Sequence, residues 1–348
     1  MAARFRVLIV GCGAVTERYH LPALAEVDEV QVAAVADADL ARAQELAERF
    51  GVPAAVQGFE DALGDSDCVL VATPHGTHAD IVTECLRAGK HVLCEKPLAT
   101  TVAECDLLIE EAARSAGGLH VGLMRRMYPG CRWLKGALEA GVLGRVKGFL
   151  FEEGGPYSWP TSSGFFWNRA AAGGGVLADT GAHTLDLLTW WLGDWESVEY
   201  QDDNLGNMEA HCRLDLTLRE GVRGSVELSR LHALPNRFRI ECEQGWFEAG
   251  PKPPGCVVMY DARIGRSVSC EAREGEARLP WAEQPAPRAL DTFVLQWREM
   301  ARSMRGEPTC LATANDAREV ARLIEACYAR RHPLPQPWRG PQFEGAGA

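Results

Sequence analysis

The chain has 348 residues, of which 47% are hydrophobic and 24% charged, with a formal net charge of -12. That balance describes a globular protein with a full core, and the length suits two domains better than one. The acidic balance argues against nonspecific attachment to nucleic acid or an anionic membrane, and the opening run Val7-Leu8-Ile9-Val10 is too short for a signal peptide or a span.

Residues 5–10 form the first predicted strand, and Gly11-Cys12-Gly13-Ala14-Val15-Thr16 follows at once, with a helix expected through Leu24. Gly11 and Gly13 let the backbone approach a pyrophosphate closely. The helix start, with Ala14 and Val15, offers unpaired N–H groups to that charge. Thr16 stands where the usual fingerprint has a third glycine. Its bulk is expected to loosen the helix packing, and its hydroxyl to face the phosphates. Two glycines alone specify little, because many loops carry them. A second strand over 30–36 ends at Asp37, 21 residues after Thr16, where a carboxylate can accept both ribose hydroxyls of an adenosine. A phosphate on that ribose would be repelled, so NAD is favoured, while nearby Arg42 keeps NADP possible.

A helix over 38–50 and a strand over 67–72 lead to Thr73-Pro74-His75-Gly76-Thr77-His78. A loop at the carboxyl end of a parallel strand is where such sheets bind ligands, which makes Thr73 and Pro74 cofactor candidates. His78 either contacts the cofactor or caps the next helix, 79–88. The strand 91–94 delivers Glu95-Lys96-Pro97 to the same edge. Glu95 and Lys96 are placed there beside the cofactor, and Lys96 can also hold and polarise a substrate oxygen. Pro97 restrains the backbone and is a candidate for a cis bond.

A helix over 102–116 and a strand over 119–123 complete the first half. Arg125 and Arg126 then either bind phosphate or substrate oxygens or face solvent. A helix over 131–140 and a strand over 144–152 precede a loop, 153–175, rich in Gly, Ser and aromatic residues. Tyr157, Trp167 and Arg169 in this loop are candidates to cover a ring-shaped substrate. Burial of the loop against its own domain is the equal competitor.

Gly173-Gly174-Gly175 precedes a predicted helix that runs through Leu192. Asp179 and His183 are four residues apart and share one face of it, with Asp186 close by. Asp179 also reads as a helix cap, and His183 as a core histidine. As a pair they mark a substrate-facing patch in which a histidine can move a proton. The pair lacks a third and fourth metal ligand, and the twelve cysteines are scattered without a CxxC pair. Neither a metal centre nor a disulfide framework is expected, and a reducing cytoplasm is.

Alternating segments at 211–218, 224–228, 238–243, 256–260 and 267–272 predict an antiparallel sheet with one solvated face, interrupted at Gly245-Trp246-Phe247. Such a sheet can form a substrate wall and an oligomer interface, and a homodimer or homotetramer through it is expected. Helices over 288–302 and 315–330 are expected to return towards the first domain.

In this order, Gly11, Gly13, Asp37, the 73–78 segment, Glu95-Lys96-Pro97 and Gly173-Gly174-Gly175 with Asp179, Gly181 and His183 resemble the glucose–fructose oxidoreductase, inositol dehydrogenase and MocA family. The resemblance runs to about residue 330. It implies an α/β protein with a Rossmann NAD(P)-binding domain over 1–123, an α/β substrate domain with an open, mainly antiparallel sheet over 124–330, and a tail over 331–348. It implies hydride transfer between a nicotinamide and a secondary alcohol or ketone of a sugar, cyclitol or nucleotide sugar. Lys96, Asp179 and His183 would be the catalytic residues, with His183 as the proton acceptor. Reduction of a nonsugar carbonyl or imine, and a noncatalytic nicotinamide-binding regulator, are the alternatives.

Overall fold

The computed structural model describes residues 4–157, 164, 168–203, 208–251, 256–270 and 289–335. The first sheet gathers β1 (Phe5–Val10), β2 (Val30–Ala36), β3 (Ala55–Val56), β4 (Cys68–Val71), β5 (His91–Cys94) and β6 (Leu119–Val121). They pair in parallel in the order β6-β5-β4-β1-β2-β3. The middle strands β1, β4 and β5 bury almost every side chain, as a sheet covered on both faces requires. Its crossovers include α1 (Leu21–Leu24), α2 (Leu40–Phe50), α3 (Glu60–Leu63), α4 (His78–Arg87) and α5 (Val102–Arg114). Local sequence sets their starts. The Asp39 side chain accepts from the Ala41 and Arg42 amides at α2, and Thr101 and Glu104 form a capping box at α5.

After α6 (Pro129–Glu139) the chain enters a second sheet. Its strands are β7 (Val146–Gly154), β8 (Trp195–Asp202), β9 (His211–Leu218), β10 (Arg223–Ser229), β11 (Arg237–Cys242), β12 (Gly245–Ala249), β13 (Val257–Asp261), β14 (Arg266–Cys270) and the late β16 (Arg331–Pro333). Their order is β14-β13-β12-β11-β7-β10-β9-β8-β16. The pairings are antiparallel except β7 with β10 and β8 with β16. One face packs on α6 and on α8 (Ala182–Leu192), where Phe149, Phe151, Leu185, Leu188, Leu214 and Phe238 share a core.

One expectation about this sheet needs correcting. Gly245-Trp246-Phe247 does not interrupt it but opens β12, with Phe247 turned into the core and Trp246 stacked on Tyr260 of β13. The glycine signals a hairpin turn rather than a break. The strand β8 also went unrecognised, although Val198, Tyr200 and Asp202 alternate inward along it.

The last part of the chain returns to the first sheet. In α9 (Ala289–Met304), Phe293, Trp297 and Met300 join Val7, Ile9 and Leu21 in one core. The short β15 (Ala312–Thr313) then pairs antiparallel with β6 before α10 (Ala314–Ala329). The β7–β10 pairing matters most for the site. Its parallel register sets Glu153 opposite Leu228 and Gly154 opposite Ser229, so both strands deliver their carboxyl ends to one edge. No helix among the described residues is long and apolar enough to cross a membrane.

Candidate active site

At the nucleotide end, Gly11 adopts a φ of +102°, and a side chain there would meet the Ala72 carbonyl at 2.5 Å. Only glycine fits this close crossing of β1 and β4. Gly13 has open space where its side chain would be, and Ala14 and Val15 begin the helical turn beside it, half-buried. Asp37 ends β2, and its two oxygens accept the Cys12 amide at 2.8 Å and the Asp39 amide at 2.9 Å. A carboxylate offers about four acceptor positions, so two remain for ribose hydroxyls. Arg42 lies in the first turn of α2, half-buried. The open glycine face, the helical start and the carboxylate beside them fit a dinucleotide.

Thr16 departs from its expected role. Its hydroxyl donates to the Gly11 carbonyl at 2.6 Å, inside the turn and fully buried. It closes the turn on itself rather than facing phosphate, and Thr16–His20 winds as a π-type turn before α1.

Thr73 and Pro74 close β4, with the Thr77 hydroxyl donating to Thr73 Oγ1 at 2.8 Å. His78 is the first residue of α4 rather than its cap, and both its ring nitrogens are engaged by backbone carbonyls. It is fully buried, with Nδ1 at 2.8 Å from the Pro97 carbonyl and Nε2 at 2.8 Å from the Thr73 carbonyl. A neutral ring donates to only one of these at a time. Burial lowers its pKa even though both carbonyls favour the charged form. His78 thus ties the 73–78 loop to the Lys96–Pro97 bond, which is cis. His75, overlooked in the sequence, donates from Nδ1 to the Ala172 carbonyl of α7 (Arg169–Ala172) at 3.1 Å and joins the two domains. Burial and the Lys96 charge lower its pKa to about 3.

Glu95 is held by a chain of bonds from the far end of the protein. The Trp297 indole donates to His20 Nδ1 at 3.2 Å, which leaves the hydrogen on Nε2 to donate to Glu95 Oε1 at 2.9 Å. Glu95 Oε2 accepts the Lys96 amide at 3.2 Å.

Lys96 reaches across to the second domain. Its Nζ lies 2.5 Å from Asp179 Oδ1 and donates to the Asp179 carbonyl at 3.1 Å. Leu177–Gly181 winds as a π-type turn ahead of α8, a distortion frequent at functional sites. Asp179 therefore faces the cleft from within the segment and is no cap. Its other oxygen, Oδ2, accepts from Arg230 Nη2 at 2.6 Å. Burial alone would raise the Asp179 pKa, but Lys96 and Arg230 outweigh it and hold the group well below the usual carboxylate range. His183 follows at the start of α8. Its Nδ1 is buried and has no partner among the described residues. Burial, with the positive charges of Lys96 and Arg125, holds its pKa well below the ordinary histidine value.

Arg230 is the main residue that sequence reasoning missed. It follows β10 directly, its side chain is only 9% exposed, and its guanidinium lies over the Tyr157 ring at 4.8 Å. Tyr157 is itself drawn to the site, and burial and the Asp179 charge push its pKa up to about 12. Arg125 does not face solvent but is paired inside the protein. Both its terminal nitrogens are taken by Glu153 at 2.7 Å, and Glu153 also accepts from the Thr184 hydroxyl at 2.7 Å. Arg126 is likewise buried, forked on Asp186 and 3.2 Å from Asp316 of α10. Arg169 lies over the Tyr328 ring at 5.1 Å, and Tyr328 lines an apolar crevice together with Lys96, Leu98, Ala178 and Ile324. Trp167 lies outside the described residues. Among the described residues, no group of three His, Cys, Asp or Glu side chains could hold a metal ion.

A nucleotide-type sheet edge that carries Lys96 thus meets a buried aspartate and histidine from a second domain, the arrangement of a dinucleotide-dependent oxidoreductase. Residues 5–123 match the NAD-binding Rossmann fold of an oxidoreductase family, and residues 131–248 match that family's C-terminal domain. The chain belongs to the GFO/IDH/MocA oxidoreductase family. It is 29% identical to the rhizopine catabolism protein MocA of Rhizobium meliloti over 93% of this chain and 94% of that one. It is 30% identical to a dTDP-3,4-didehydro-2,6-dideoxy-alpha-D-glucose 3-reductase of Actinomadura kijaniata, over 72% and 76% of the two chains. A levoglucosan dehydrogenase structure with NADH and levoglucosan shares the fold at a TM-score of 0.82 and 21% identity, covering 94% of this chain and 98% of that one.

Proposed function

We propose that this protein oxidises a secondary alcohol on a polyhydroxylated ring, or reduces the matching ketone, using NAD. The observation that carries the reading is the contact between Lys96 Nζ and Asp179 Oδ1 at 2.5 Å, with His183 one turn further on. An ammonium has three N–H donors. Among the described residues Asp179 occupies two, and the third is available to a substrate oxygen. Lys96 then stabilises negative charge as it develops on that oxygen. His183, held neutral, takes the hydroxyl proton in oxidation and returns it in reduction. Asp179 keeps the lysine in place, and Arg230 keeps Asp179 turned towards it. Gly11, Gly13, Ala14, Val15, Asp37, Thr73 and Pro74 would hold the dinucleotide, whose nicotinamide supplies the hydride acceptor or donor. Tyr157 offers an aromatic face to the ring. The relatives that bind levoglucosan or reduce a dTDP-sugar support a ring substrate of this kind.

The test is a screen of sugars, cyclitols and nucleotide sugars that follows the absorbance of reduced nicotinamide, run with NAD, NADP and their reduced forms. Turnover of a polyhydroxylated ring is expected, with tighter binding of NAD than of NADP because Asp37 repels the 2′-phosphate of the adenosine ribose. Activity confined to simple aldehydes, imines or nonsugar ketones would refute the ring substrate. A clear NADP preference would refute the role of Asp37 and make Arg42 the phosphate contact.

The same reading includes a homodimer or homotetramer through the face of the second sheet turned away from α8. Half-buried Leu150, Trp246, Val258 and Tyr260 lie there beside Arg239 and Glu248. Light scattering is expected to give at least twice the 38.0 kDa chain mass, and a monomer at micromolar concentration would contradict it. The same reading places the protein in a reducing compartment such as the cytoplasm, where its many buried thiols would stay reduced.

A further inference from the structure

We propose that Glu209 and Tyr328 form a clamp that positions the segment carrying Asp179 and His183, and that full turnover depends on it. The inference rests on the reading of Lys96, Asp179 and His183 given above. Glu209 is 1% exposed and lies just before β9. Its Oε1 accepts the Gly175 amide at 2.9 Å, the Leu177 amide at 3.0 Å and the Tyr328 hydroxyl at 2.8 Å. The amide between them, that of Val176, donates to the Glu209 backbone carbonyl at 2.9 Å. Three successive amides at the head of the segment therefore end on one residue. The first amides of a helical segment have no partner within it, and a negative acceptor suits them best.

The clamp also accounts for the glycine run. A side chain at Gly175 would sit 2.0 Å from the Glu209 carbonyl, and one at Gly174 would sit 2.0 Å from the Tyr328 hydroxyl. The two glycines are where Glu209 and Tyr328 press against the backbone. The constraint passes directly to the site, because the Asp179 amide donates to the Gly175 carbonyl at 3.1 Å. Tyr328 is fixed in turn. Arg169 and Arg331 lie 5.1 and 5.5 Å from its ring centre, and Arg331 Nη2 reaches Glu209 Oε2 at 3.4 Å. Burial, and next the Glu209 charge, raise the pKa of Tyr328, so its hydroxyl remains a donor. Glu209 and Tyr328 touch neither Lys96 nor His183 in these contacts, and they act as positioning residues.

The experiment uses the full chain and the variants Glu209→Ala, Glu209→Gln and Tyr328→Phe. It measures turnover of the most active compound from the screen, NAD affinity, and hydrogen exchange across 173–183. Glu209→Ala is expected to lower kcat by about ten- to a hundredfold through misplacement of the reacting groups. NAD affinity should hold, and the Gly175 and Leu177 amides should exchange faster. Glu209→Gln keeps an acceptor for both amides and should recover part of the lost turnover. Tyr328→Phe removes one oxygen and should move both readouts the same way by less. If Glu209→Ala does not fold, Tyr328→Phe decides by the same readouts. Unchanged exchange at 175 and 177 would overturn the clamp. So would faster exchange with undiminished kcat, or a kcat loss matched by an equal loss of NAD affinity. Undiminished turnover in Lys96→Ala would overturn the reaction reading instead, and the exchange rates would still decide whether the clamp holds the segment.

Discussion

Replacing Lys96 with alanine is expected to slow hydride transfer by roughly a hundred- to a thousandfold, the scale of losing one preorganised donor to a developing oxyanion. The lysine is held by Asp179 on the far side of the cleft, whereas the nucleotide contacts centre on Gly11, Gly13 and Asp37. NAD binding should therefore be largely preserved. Asp179 keeps its Arg230 partner in this variant, so the carboxylate stays ionised and the cleft does not rearrange around an unpaired charge. Arginine is not expected to rescue, because a planar fork cannot replace a compact ammonium between two acceptors. Single-turnover kinetics and NAD titration check both halves of the expectation. Equal losses of NAD affinity and turnover would make Lys96 a cofactor contact and no more.

Replacing His183 with alanine should cost about a hundred- to ten-thousandfold in kcat, the range of general acid–base contributions. The pH profile gives the sharper test. Burial and the charges of Lys96 and Arg125 depress the His183 pKa, so the ring is neutral throughout the neutral range and can accept a proton. Alcohol oxidation by the native protein is thus expected to be flat across neutrality. It should fall only when acid protonates His183, below the ordinary histidine titration. Reduction needs the protonated ring and should rise in that same acid range. His183→Ala should lose the acid limb altogether. A limb that survives in this variant would assign the proton transfer to another group.

The residues that sit in contiguous motifs were legible because a strand end places them by itself. Asp37 and Glu95-Lys96-Pro97 each follow a short apolar strand whose carboxyl end must lie at the sheet edge. Asp179 and His183 needed only a helical spacing, and the π-type turn between them did not part them. Arg230 and Glu153 were harder. Both are brought to the site edge by a parallel pairing between β7 and β10, strands distant in the chain, and no local pattern encodes that choice. The pairing of Arg125 was hidden for the same reason, since its acidic partner is Glu153. His78 shows the opposite limit. Its position beside the cofactor loops was legible, but the direction of its ring depended on two carbonyls brought together only by folding. Thr16 turned inward because its own turn supplied a nearer acceptor, the Gly11 carbonyl.

The return of the chain to the first sheet bears on how the two halves can be exchanged between relatives. The segment 1–123 looks like a transplantable module, but its edge strand β15 and its covering helix α9 are encoded after residue 288. The Trp297 indole on α9 orients His20, and His20 orients Glu95, the residue that precedes the reactive lysine. A chimera that grafts a foreign nucleotide half onto this substrate half must bring the donor's counterparts of α9 and β15 with it. Left behind, they would pair a foreign lysine loop with a tryptophan selected to anchor a different one.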